Sequence, residues 1–189
     1  DKSITWCFIS GTDEIRKSAM RRAVLRLSSE INALGHCFDF TETTDCTDAQ
    51  VEIGLFQAGT CYASCSQFGK SKINMGFCKD DDRQASMIHE WGHILGLGHE
   101  QMRPDRDDYI TINWNWISPA WVPSYTKYDS QADTFRYYNY NSIMHYSQWG
   151  TGSHSGKIAI DSHGHRIGRR TGGFDANDVS QIRAIYECG

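Results

Sequence analysis

The stretch HEWGHILGLGHEQMRPDR, residues 89–106, constrains the fold more than any other part of this 189-residue chain. In an α-helix, residues i and i+4 share one face about 6 Å apart, so His89 and His93 can aim both imidazoles at one ion. Glu90 lies about 100° further around the helix, outside the ligand set but within reach of a water beside the ion. Gly96 can adopt positive φ at little cost, which ends the helix and turns the chain. His99 then approaches from another direction. Three neutral imidazoles leave one position of a tetrahedral zinc open, the arrangement of a catalytic rather than a structural site. A helix, a glycine turn and the following loop must therefore meet at one cleft.

The rest of the chain is compatible with a globular protein built around that cleft. A hydrophobic share of 39% and a charged share of 22% are ordinary for such a domain. The net charge of −4 argues against nucleic acid as a partner. No apolar run approaches 18 residues, so no membrane-spanning helix is expected. The opening DKSITWCFIS carries no initiator Met and no visible signal peptide, which fits a processed, secreted chain. The seven cysteines form no CxxC pattern and read as mostly disulfides, with one thiol left over.

Regular elements flank the motif. ITWCFIS (4–10) is β-branched and aromatic and reads as a strand. From Asp13 to Leu34, Ile15, Ala19, Met20, Ala23, Val24, Leu27, Ile31 and Leu34 recur at helical spacing, with Thr12 as the cap and Gly35 as the stop. CFDFTE (37–42) and VEIGLFQ (51–57) read as strands, the latter with Val51, Ile53 and Leu55 on one face. Strand, long helix, strand implies a right-handed crossover and a partly parallel sheet. KINMGF (72–77) reads as a candidate edge strand that a peptide can pair with, and DDD (80–82) favours the start of the histidine helix. Segment 109–149 is irregular and rich in rings; most of Trp114, Trp116, Trp121, Tyr137, Tyr138 and Trp149 are expected to pack a core rather than line the cleft. His145, His154, His163 and His165 are expected in loops. FDANDVSQIRAIYEC (174–188) reads as a terminal helix capped by Asp175.

HExxHxxGxxH is the signature of the metzincins. The longer run, through Glu100, Arg103, Asp105, Arg106, Tyr109, Ile110, Ile112 and Asn113, resembles the astacin family of zinc endopeptidases. SIMHY (142–146) is similar to that family's Met-turn, and the resemblance covers nearly the whole chain. It implies an α+β, metzincin/zincin-like fold of two subdomains in one catalytic domain, 1–189. The N-terminal subdomain (about 1–99) holds a mixed, mostly parallel sheet with two long helices. The C-terminal subdomain (about 100–189) is irregular and ends in a helix, with the zinc cleft between. One Zn²⁺ on His89, His93 and His99, Glu90 as general base, Met144 as the floor and Tyr146 as a phenol beside the reaction centre are further implications. The resemblance places a buried N-terminal amine against Glu100, a link this chain departs from by starting close to its first strand. It pairs Cys37 with Cys188 and Cys61 with Cys78. Cys7 is then read as a buried thiol in its strand, and Cys46 as able to join Cys65. IGRR matches a family position at which Arg170 receives an acidic residue after the cleaved bond, with Arg169 in place of a glutamine. Polypeptide substrates, a removed N-terminal propeptide as inhibitor, a monomeric state and an extracellular location complete the implication.

Two other functions fit less well. A binding module with a dead metal shell would have lost Glu90 or a histidine. A non-proteolytic zinc amidase is disfavoured by the Met-turn and the Arg-Pro-Asp-Arg run.

Overall fold

The long helix is set by its apolar spacing. In a computed structural model, which describes residues 2–129, 137–150, 158–161, 166–168 and 172–189, α1 spans Glu14–Asn32 and buries Ala19, Met20, Ala23, Val24, Leu27 and Ile31. Burying each of the larger side chains is worth roughly 1.5–3 kcal/mol. The stripe is shorter than its sequence implies, because Ile15 and Leu34 at its two ends are exposed. Asp13, not Thr12, is the cap: its carboxylate accepts from Arg16 N at 3.0 Å, while the Thr12 hydroxyl donates to Ile9 O. Gly35 stops the helix at φ +119°.

Five strands form the main sheet: β1 (Lys2–Phe8), β2 (Phe38–Thr43), β3 (Val51–Gly54), β4 (Cys61–Ser64) and β5 (Ser71–Met75). Their order is β2-β1-β3-β5-β4, parallel except for β4, which runs antiparallel to β5. This corrects the reading of KINMGF as an edge. β5 is interior, and Ile73, Asn74 and Met75 are fully buried. The edges are β2 and β4, and β4, the edge beside β5, is too short at four residues to show an alternating pattern. It is placed by Asn74: the carboxamide oxygen accepts from Phe56 N and Gln57 N, and the nitrogen donates to Gln57 O and Thr60 O, which fixes the loop entering β4. Leu55 lies past the end of β3 and is exposed.

The histidine helix α2 (Gln84–Ile94) follows a 3₁₀ turn at Asp81–Arg83 and packs on α1 and β4. Trp91 is fully buried between the two helices and the sheet, with its indole N–H toward Met20 Sδ at 3.2 Å. A second cluster, made by Ile110, Ile112, Ile117, Tyr125, Tyr138, Ile158, Ala159 and Ile167, packs around a two-stranded sheet of β6 (Ile110–Ile112) and β7 (Ala159–Asp161). The aromatic expectation fails here. Trp114, Trp116, Trp121, Tyr137 and Trp149 are exposed, and the rings that fill this core are Tyr125 and Tyr138. α3 (Ala176–Ile185) closes the chain and touches α1.

Three disulfides join the described residues. Cys37–Cys188 and Cys61–Cys78 bridge 151 and 17 residues. The third, Cys7–Cys46, corrects both expectations for those residues. β1 and β2 are parallel neighbours with Cys7 opposite Thr43, so the chain leaving β2 carries Cys46 back against β1. Cys65 is the free thiol, exposed just past β4.

Candidate active site

α2 ends in a turn that serves the site directly. Gly96 takes φ +88°, its N–H donates to His93 O at 3.0 Å, and Leu97 N donates to Gly92 O at 2.9 Å. These are the two bonds of a Schellman motif. The same turn presents Leu97 O to His93 Nδ1 at 2.9 Å. His89 Nδ1 likewise faces Ile143 O at 2.8 Å. A carbonyl only accepts, so both Nδ1 atoms carry the proton and both Nε2 atoms present lone pairs. His99 is brought in by its own N–H, which donates to Tyr128 Oη at 3.0 Å.

The three Nε2 atoms converge. His99 Nε2 lies 3.2 Å from both His93 Nε2 and His89 Nε2, and the trio is the one group of metal-ligating type among the described residues. Nitrogens bound tetrahedrally at about 2.0–2.1 Å from zinc stand roughly 3.3–3.4 Å apart, so the donor set fits that ion. Lone pairs so close repel one another unless a cation lies between them. Glu90 is buried beside them. Together with the three histidines, Cys61, Tyr62, Ala63 and Tyr146 it lines a cavity of about 200 Å³. A larger cavity of about 770 Å³ lies against Ile4, Val51 and Ile94 and is lined by none of the histidines; the donor set, not size, marks the site.

The floor is Met144, almost fully buried. It packs so tightly under α2 that a Cβ on Gly92, the residue before His93, would sit 2.5 Å from its Sδ. Its turn is anchored from α3. Ser142 Oγ donates to Asp178 Oδ1 at 2.6 Å, Ile143 N donates to Asp178 Oδ2 at 3.2 Å, and Met144 N donates to Ser142 Oγ. Asp178 also completes the capping box with Asp175 at the start of α3. Sequence reasoning finds Asp175 and misses Asp178, although an acid three residues past a cap is the available signal.

Burial pushes the Asp178 carboxyl up from its ordinary 3.8 to about 6. A group raised in the folded state contributes stability that is full below its unfolded value and lost as pH rises through its folded value. In zinc-free protein, the unfolding midpoint should fall more steeply from about pH 4 to 7 in wild type than in Asp178→Asn. Carboxylates held low elsewhere, such as Asp45 and Asp107, cancel in that comparison. Equal slopes would remove Asp178 from the pH dependence.

Glu100 is buried, and burial raises its carboxyl to about 7 against the opposing pull of Arg103 and the Asn139 N–H. Arg103 Nη1 and Asn139 N donate to Glu100 Oε1 at 2.9 and 2.7 Å. Arg103 also forks onto Asp105, and Arg106 is buried against Gln101 O and Tyr125 O. The charged run after the third histidine is therefore scaffolding. His145 lies in a loop, as expected, but not in solvent. It is fully buried, held neutral by burial with its pKa down to about 4, and lies 2.7 Å from both Tyr138 Oη and Tyr146 O. Tyr146 sets its ring 4.7 Å from that of His99. Arg169, Arg170, His154, His163 and His165 lie outside the described residues.

The profile of the astacin peptidase family matches residues 1–187. The chain is 31% identical over 189 residues to the zinc metalloproteinase nas-5 of Caenorhabditis elegans, covering 95% of this chain and 51% of that protein. It is 32% identical over 179 residues to meprin A subunit beta of Mus musculus, covering 87% and 25%. It therefore spans about half the length of the first relative and a quarter of the second. Among solved structures, high choriolytic enzyme 1, a hatching enzyme zinc-protease from Oryzias latipes, shares the fold with a TM-score of 0.81 at 24% identity, covering 99% of this chain and 90% of that one. On the profile match and on the nas-5 identity, the chain belongs to the astacin family.

Proposed function

We propose that residues 1–189 form one catalytic domain of a secreted zinc endopeptidase, with subdomains of about 1–99 and 100–189. The observation that carries this reading is the convergence of three Nε2 lone pairs, Glu90 and Tyr146 on a single cavity bordered by the open edge of β4. His89, His93 and His99 hold the metal. Bound zinc supplies Lewis acidity and brings the pKa of a water to about 7. Glu90 accepts a proton from the attacking water and delivers it to the departing amine, so the peptide bond breaks to a carboxylic acid and an amine. Tyr146 donates a hydrogen bond to the oxyanion that forms in between. Met144 and Gly96 hold this geometry from below and from the helix end, and Glu100 braces the loop beyond His99. An extended polypeptide pairs with β4, whose outer backbone groups have no neighbouring strand among the described residues.

Three disulfides support an extracellular location. The family resemblance carries a monomer silenced before maturation by an N-terminal propeptide. It also carries Arg170 as the guanidinium that binds Asp or Glu just after the scissile bond, in bidentate fashion. One experiment tests the activity and its preference: digest a proteome-derived peptide library with and without a zinc chelator, and sequence the new N-termini. Cleavage that disappears on chelation, returns with zinc, and leaves Asp or Glu at the new N-termini is expected. Cleavage indifferent to chelation overturns the reading, and wild-type products without acidic enrichment remove Arg170 alone.

A further inference from the structure

Tyr146 is held by its backbone as well as by its ring. Its N–H donates to Gln101 Oε1 at 3.0 Å, and its carbonyl accepts from His145 Nδ1 at 2.7 Å. Gln101 is fully buried, and its Nε2 donates to Ser124 O at 3.2 Å. The Gln101 carbonyl accepts from Arg106 Nη1 at 2.7 Å. Gln101 stands two residues after His99, in the 3₁₀ turn Glu100–Met102. One carboxamide thus ties the segment of the third histidine to the Tyr146 backbone on one side and to the turn Pro119–Tyr125 on the other.

We propose that Gln101 is a positioning residue: by holding the Tyr146 N–H it sets where the Tyr146 phenol stands relative to His99. The role rests on the reading of Tyr146 as an oxyanion donor. A carboxamide suits the place because it offers an acceptor to an N–H and a donor to a C=O at once. A methionine of similar length fills the space and supplies neither. The Tyr146 backbone then loses one of its two ties and can shift by part of an ångström, and donor geometry at a reaction centre is sensitive to such shifts.

The experiment compares wild type, Gln101→Met, Tyr146→Phe and the double variant on one peptide that the wild type cleaves. It reads kcat, KM, bound zinc and hydrogen exchange at the Tyr146 amide. Gln101→Met is expected to keep its zinc, to lower kcat about ten- to a hundredfold, to leave KM within about twofold, and to speed Tyr146 exchange. Placed on Tyr146→Phe it should cost nothing further in kcat, because both changes act through the same phenol. If Gln101→Met does not fold, Gln101→Asn, which withdraws the acceptor by one methylene, takes its place with the same expectations. A loss that multiplies with that of Tyr146→Phe, an unchanged kcat, or unchanged exchange at Tyr146 overturns the role. A wild type that cleaves no peptide overturns the protease reading along with it, so the two failures are told apart.

Discussion

Glu90→Gln should bind zinc as the wild type does and lose turnover by roughly a hundred- to ten-thousandfold, the range general acid–base groups contribute. The metal-ligating group consists of His89, His93 and His99 without Glu90, so a neutral, isosteric amide leaves the donor set intact. It removes the carboxylate that takes and returns the proton. The loss should fall on kcat with KM little changed, since the proton moves only after substrate is bound. Metal analysis and steady-state kinetics on the same preparation decide the matter. A zinc-loaded variant that retains most of its turnover would take Glu90 out of the chemistry, and a variant lacking zinc would place it among the ligands instead.

Replacing Cys37 and Cys188 by serine should cost more stability than removing either of the other two disulfides. Their bond spans 151 residues, against 39 for Cys7–Cys46 and 17 for Cys61–Cys78. Chain-entropy reasoning assigns about 5 kcal/mol to a closed loop of that length, and measured values tend to be smaller. At about 2–4 °C per kcal/mol for a chain of this size, the thermal midpoint should drop by roughly 10–15 °C. The loss has a local consequence too. Cys188 follows α3, and α3 carries Asp178, the anchor of the Met144 turn. Scanning calorimetry of the double variant, with zinc content measured in parallel, gives both effects. A midpoint within about a degree or two of wild type would mean that other contacts hold the last helix in place.

What was legible in the sequence follows chain distance. His89 and His93 are related by one helical turn, and Gly96 by the end of that same helix, so local geometry fixes their relation. The Asp175 cap and the α1 stripe are local in the same sense. The illegible features join distant segments. Gln101 reaches Tyr146 across 45 residues, Asp178 reaches Ser142 across 36, and Cys7 reaches Cys46 across 39. Nothing in the pattern around Gln101 distinguishes a buried amide from a solvated one. The edge beside β5 is hidden in the sequence for a related reason. KINMGF is apolar because it is interior, whereas CYAS, the edge next to it, is four residues with no periodicity to detect. The exposed tryptophans ran against composition alone, which weighs ring size but not where the backbone turns.

The anchoring of the Met144 turn by α3 also bears on the order in which a growing chain acquires its parts. Synthesis passes His99 nearly eighty residues before Asp178 exists. Through that interval the three histidines can gather a metal ion, yet the Ile143 carbonyl that orients His89 belongs to a turn that still lacks its anchor from α3. Metal capture is a local event and activity a global one. The chain carries the means to bind zinc well before it has the means to use it.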